Sequence, residues 1–254
     1  MTRFLLLSTL LLALSICGGA IAGQRGSCDL PLPNADLRHC SFAGKSLPGI
    51  NLRGARLDGV DFSNARMPGC DLSDSSLTKA DFKWAILADC VIVDADLDHA
   101  DLFHATFDGG ILNGSRFTGA NLFGANLNEL KAIKADFSGA YMKDIAMEES
   151  DFSNSRFDKA FMMRAVMIGS RLQGASLRHA VLTGAAFEEA DLSQVDLTSA
   201  VLNGAHFNDA QLVGTRFTDA IIANAVFRGA RLEGLIGPPP ALRKLLDELA
   251  PDAD

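Results

Sequence analysis

The stretch Ala95-Asp96-Leu97-Asp98-His99-Ala100-Asp101-Leu102-Phe103-His104-Ala105-Thr106-Phe107-Asp108-Gly109 decides the fold. It is three blocks of five: a small residue, a polar one, a large apolar one, then two that suit a turn. Working outward, the chain from Ala35 to Gly234 divides into 40 such blocks without an insertion. The third position is Leu, Phe, Met or Ile in 39 of them, Ala132 being the exception. The first is small in 36, the exceptions being Lys45, Ile50, Leu130 and Ile145. Successive side chains of extended backbone point to opposite faces. The first and third positions therefore point inward and the second outward. The fourth and fifth turn a corner, where Gly, Asn and Asp recur as turn chemistry demands. One block cannot bury its apolar pair alone, so the blocks must wind and stack.

The stacking lag sets the size of one coil. Six pairs of third-position Phe lie 20 residues apart: 42/62, 62/82, 117/137, 137/157, 187/207 and 207/227. Only 137/152 lies 15 apart. Rings stacked on neighbouring coils produce this lag. Charge agrees, because the outward column Asp36, Arg56, Ser76, Asp96, Arg116, Asp136, Arg156, Ser176, Asp196, Arg216 mostly alternates in sign, as does Lys131, Asp151, Arg171, Asp191. The pattern predicts ten four-sided coils in an all-β solenoid. At one strand spacing per coil the rod is roughly 48 Å long.

The sequence resembles the pentapeptide-repeat family, with consensus A-(D/N)-L-x-x. Ala95-Asp96-Leu97, Ala100-Asp101-Leu102, Ala120-Asn121-Leu122 and Ala190-Asp191-Leu192 match it in full. The resemblance implies a right-handed quadrilateral β-helix. It implies no single activity, since the fold hosts unrelated roles.

The ends read differently. Met1-Thr2-Arg3, the apolar run Phe4 to Ile16 and Ala20-Ile21-Ala22 make residues 1–22 a secretory signal peptide, with the mature chain starting at Gly23. The rival lipoprotein reading, Leu14-Ser15-Ile16-Cys17 with Cys17 acylated, is weaker because Ile16 stands where Gly, Ala or Ser is wanted. No later stretch is long and apolar enough to span a membrane. Residues 23–34 are expected to cap the first coil, and 35–234 form the β-helix. Residues 235–254 contain the break Gly237-Pro238-Pro239-Pro240 and a short helix, Ala241 to Leu249, with Leu242, Leu245, Leu246 and Leu249 on one face. That helix reads as a cap or as a dimer contact, the latter a use this terminus has in some relatives. Leu130-Lys131-Ala132-Ile133 exchanges the large and small inward positions, which predicts a local distortion.

The 254 residues are 48% hydrophobic and 21% charged, with a net charge of −8. An acidic chain without a basic stripe argues against nucleic-acid binding. No catalytic constellation, phosphate loop or C-x-x-C motif stands out, so the reading is non-enzymatic, with no cofactor and no metal. His39, His99, His104, His179 and His206 read as corner or surface residues. Met142, Met147, Met162 and Met167 read as core filling. Cys70 and Cys90, stacked at one coil's spacing, are either small core fillers or a disulfide, and Cys28 and Cys40 are candidates to staple the N-terminal cap.

One outward column reads Asp61, Asp81, Asp101, Asn121, Tyr141, Phe161, Val181, Val201, Ile221. Its carboxylates repel unless Lys83 or a cation such as Ca²⁺ relieves them. Its apolar half is joined from the fourth position by Phe103, Phe123 and Met163 and bordered by Val166, Ile168 and Val226. A contiguous outward apolar patch suggests contact with a protein partner or with a second copy. The leading reading is thus an exported, periplasmic or secreted, rigid interaction scaffold. Its rival is an acidic DNA mimic that protects a topoisomerase, an activity associated with the family, which the signal peptide disfavours.

Overall fold

The computed structural model describes residues 25–249. The signal peptide expected over 1–22, cleavage before Gly23 and acylation at Cys17 lie outside the described residues, as do 250–254. Four columns of parallel bridges run along the chain, starting Asp36↔Arg56, Ser41↔Asp61, Ser46↔Arg66 and Asn51↔Asp71, every partner 20 residues on. The described ladder begins with Arg25↔Asp36 and ends with Arg216↔Ile236. Each side contributes a single bridged residue rather than a longer strand, because the corner follows two residues later. The bridged residue's neighbour donates in the opposite direction, as in Phe137 N–H to the Arg156 carbonyl (2.7 Å) beside Asp136 N–H to the Ser115 carbonyl (2.9 Å). The backbone is therefore satisfied by the coils above and below.

The corners close by a left-handed residue at the fifth position. Gly supplies it in many blocks, but Asn64, Trp84, His104 and Lys159 adopt it too, at φ of 58°, 60°, 52° and 61°. Gly124 is under a second constraint, since an added Cβ would sit 2.5 Å from the His104 ring one coil earlier. Long corner side chains thus lean over a glycine in the next coil.

Inside, the third-position residues are buried throughout, save Leu47 and Phe227 near the ends, which are partly buried. The six predicted Phe pairs are all stacked, with centroids 4.8–5.1 Å apart and interplanar angles of at most 15°. Small polar residues at the first position are satisfied within the core. The Ser150 hydroxyl donates to the Leu127 carbonyl (2.8 Å) and accepts from Leu130 N–H (3.1 Å), inserting itself into the corner of the coil below.

The distortion expected at Leu130-Lys131-Ala132-Ile133 is confined to the corner at Leu130, whose N–H goes to the Ser150 hydroxyl, and does not reach the ladder or the core. Lys131 keeps its bridges to Ile111 and Asp151, and Leu130 and Ala132 are both buried. The reason is volume compensation along the columns. Leu130 stands between Gly110 and Ser150, while Ala132 stands between Leu112 and Phe152.

Both ends are covered. Gly26 N–H donates to the Asp36 carbonyl (2.9 Å), and a Cβ on Gly26 would lie 2.8 Å from both Ala35 and Leu37, so only glycine lets this segment cross the first coil so closely. Cys28 and Cys40 are joined by a disulfide with Cα atoms 5.5 Å apart. A second disulfide joins Cys70 to Cys90, whose Cα atoms are 4.5 Å apart. At the other end the helix α1 spans Pro240–Leu249, with proline at its first position, where no N–H is needed. Leu242 is buried, and Leu245 and Leu246 pack against the core. No helix among the described residues is long and apolar enough to cross a membrane.

Candidate functional site

The side that carries column 61–221 is divided in two. In its first half the carboxylates are neutralised from within the chain. Lys83 Nζ lies 2.6 Å from Asp81 Oδ2 and 3.4 Å from Asp101 Oδ2, and Asn121 Nδ2 donates to Asp101 Oδ1 (2.9 Å). Asp61 accepts the N–H of Ser63 (2.8 Å), and hydrogen bonds from Ser63 hold its carboxyl below the usual carboxylate range. Asp81 in turn raises the Lys83 ammonium. Repulsion in this column is relieved by Lys83, one of the two alternatives open from sequence.

The second half is an outward ladder of rings and aliphatic side chains. Phe103 and Phe123 stack at 5.4 Å, Phe123 and Tyr141 at 6.0 Å, and Tyr141 and Phe161 at 5.3 Å. Bridges then carry the column through Phe161, Val181, Val201 and Ile221. Tyr141 and Ile221 are 42% and 53% exposed, while Phe103, Phe123, Phe161, Met163, Val181 and Val201 are half-buried by their neighbours along the column. Lys143 Nζ lies 5.8 Å from the Phe123 ring centroid, a cation–π contact at the edge of the strip.

Two residues of this surface escape the sequence reading. Trp84, 53% exposed, stacks on His104 at 4.4 Å and meets Phe103 edge-on at 5.5 Å, extending the aromatic strip by one coil. Both occupy the fifth, corner position, where the reading assigned turn chemistry alone. Their separation of 20 residues is the signal that would have found them.

The charged column at 36–216 is paired, though less directly than expected. Asp36 and Arg56 are 3.5 Å apart, Asp96 and Arg116 3.8 Å, Asp136 and Arg156 3.9 Å. Closer contacts go to the fourth position: Arg38 to Asp36 (2.6 Å), Arg156 to Asp158 (3.3 Å), and Arg116 to Asp98. The Arg38 hydrogen bond holds Asp36 well below the usual carboxylate range. Such exposed pairs are worth about 0–1 kcal/mol each, so they set surface pattern more than stability.

Asp108 behaves oppositely. Its Oδ2 accepts from Asn126 (3.2 Å), its Oδ1 is buried without a partner, and burial pushes its carboxyl up. A group whose folded pKa is raised opposes folding once it ionises, so this contribution worsens as pH rises through the folded value. Asp108→Asn is therefore expected to raise the melting temperature at neutral pH, and the gain should vanish in acid, below the carboxylate range. Asparagine already fits this column, since Asn128 Oδ1 accepts Glu148 N–H (2.8 Å). Equal melting curves at neutral pH would refute it.

Among the described residues, one group of metal-ligating side chains converges: Cys28, His39 and Cys40, with ligand atoms within 4.8 Å of one another.

A search of curated protein sequences finds no match. HetL, a pentapeptide-repeat protein involved in heterocyst differentiation regulation from the cyanobacterium Nostoc sp. strain PCC 7120, is 27% identical, with 78% of this chain and 87% of that one covered and a TM-score of 0.68. A trypsin-treated form of QnrB1, a plasmid-mediated fluoroquinolone resistance protein, is 19% identical over 82% of this chain and 97% of that one, with a TM-score of 0.55. These likenesses imply a right-handed quadrilateral β-helix. The family model for pentapeptide repeats matches overlapping segments from 34–67 through 196–234. With its 20-residue bridge ladder and stacked phenylalanines, the chain belongs to the pentapeptide-repeat family.

Proposed function

We propose that this protein is an exported, non-enzymatic scaffold that binds a partner protein, or a second copy of itself, through the strip from Trp84 and Phe103 to Ile221. The carrying observation is the contiguous outward ladder Phe103, Phe123, Tyr141, Phe161, Val181, Val201, Ile221. A solvent-facing run of this kind is unusual unless it contacts something. A rod whose side chains are fixed by the coils above and below loses little conformational entropy on binding. Support for export is the apolar leader and its small-residue cleavage pattern.

The test is Tyr141→Lys with Ile221→Lys. Both side chains are exposed, so each change should alter folding by no more than about ±0.5 kcal/mol. Association should fall sharply, because lysine would place an unpaired charge in a desolvated contact. Sedimentation measures self-association, affinity capture from the exported fraction compares partner sets, and a thermal melt checks the fold. An unchanged oligomeric state and partner set, with the fold intact, would make the strip inert. Recovery of the native protein from cytosol with Met1 in place would overturn export.

A further inference from the structure

We propose that Cys28, His39 and Cys40 form a redox-gated site for one thiophilic divalent cation of the zinc type. As a disulfide the site is closed; as two thiolates and an imidazole it is a three-ligand metal site.

The geometry is half-built already. Zinc bound tetrahedrally at about 2.3 Å to sulfur and about 2.0 Å to nitrogen places those two ligand atoms about 3.5 Å apart. His39 Nε2 lies 3.7 Å from Cys40 Sγ. This edge of the tetrahedron therefore needs no rearrangement. Cys28 and Cys40 are bonded to each other in the disulfide, whereas two thiolates on one zinc sit about 3.8 Å apart. Once the bond is broken, Cys28 must therefore withdraw from Cys40. It lies in a segment with no bridge between Arg25 and Asp36, so the ladder does not oppose the movement. His39 is exposed and Cys28 half-buried, which gives the cation a route from solvent and leaves the fourth position to water. Neutral imidazole and thiolate favour such a cation over hard cations, which take oxygen ligands.

The redox step balances with an external dithiol. Its two thiols supply two electrons and two protons, the Cys28–Cys40 bond breaks to two thiols, and the reductant leaves as its own disulfide. The cation then displaces both thiol protons. Reoxidation by a disulfide oxidant reverses the sequence and expels the metal. The Cys70–Cys90 pair is fully buried and does not compete for reductant in the folded chain.

The experiment uses the full chain carrying Cys17→Ser, reduced with a phosphine, freed of reductant without air and titrated with Co²⁺. One equivalent should produce a thiolate-to-cobalt charge-transfer band, which Zn²⁺ then removes. The oxidised protein should show none. Zn²⁺ should also restore the melting temperature that reduction lowers, because a ligand bound only by the folded state stabilises it. Cys28→Ser should abolish the band. His39→Ala, a surface change that leaves the fold intact, should weaken binding about tenfold or more by removing one of three ligands. A folded, reduced protein without the band, or His39→Ala binding as tightly as the parent, would overturn the proposal.

Discussion

Replacing Phe137 with alanine is expected to lower folding stability by about 3–5 kcal/mol, the range for deleting a ring from a packed core. Phe137 is fully buried. It stacks on Phe117 at 4.8 Å and on Phe157 at 5.0 Å, and meets Phe152 edge-on at 6.0 Å. Removing it breaks three ring contacts at once and opens a gap between two coils. The backbone of those coils is pinned on both sides by bridges at Asp136, so the walls cannot collapse into the gap. Equilibrium denaturation with urea measures the effect. A loss below about 1 kcal/mol would mean that the ring is not in a packed interior.

The second large effect is expected at Leu130. Leu130→Ala should cost about 2–5 kcal/mol, even though it restores the family's small residue at that position. Leu130 occupies a column in which Gly110 precedes it and Ser150 follows. A side chain cannot grow from Gly110 to fill the space, because its Cβ would lie 2.9 Å from the Phe107 carbonyl oxygen and 3.1 Å from that of Cys90. The reciprocal change, Ala132→Leu, should also destabilise, by about 1–3 kcal/mol through overpacking between Leu112 and Phe152. Urea midpoints for both single variants decide the matter. A Leu130→Ala protein as stable as its parent would show that the columns do not compensate one another.

These two residues mark what the sequence makes legible. Phe137 is readable because each block repeats the same alternation and the Phe lag of 20 counts the sides. Leu130 breaks the local rule, and a reader confined to its own block expects a distortion. Its compensation lies 20 residues away in Gly110, in the same column but not in the same block. Trp84 and His104 were hidden for a related reason. The corner position specifies only a left-handed backbone, so the identity of the side chain carries no fold signal there. The stacked carboxylates were ambiguous because the column shows repulsion, whereas the relief comes from Lys83, two positions further along the same side. The disulfides depend on sulfur positions finer than a strand spacing: Cys70 and Cys90 approach to 4.5 Å between Cα atoms, closer than the average rise from coil to coil would place them.

Because every bridge of the four columns that start at residues 36, 41, 46 and 51 spans 20 residues, side chains are addressed by counting. Deleting the pentapeptide 125–129 would leave every first and third position downstream facing inward, but each would join a different column. It would also turn everything downstream by a quarter revolution, so that Tyr141 no longer followed Asn121 but stood above the neighbouring side. The aromatic strip would be cut and its lower part would face another direction, and inside the rod Phe137 would stand over Leu112 instead of Phe117. Lengthening or shortening by four blocks together would preserve both. The surface and the core of this rod therefore share one phase, and growth in whole coils is the change in length that keeps both.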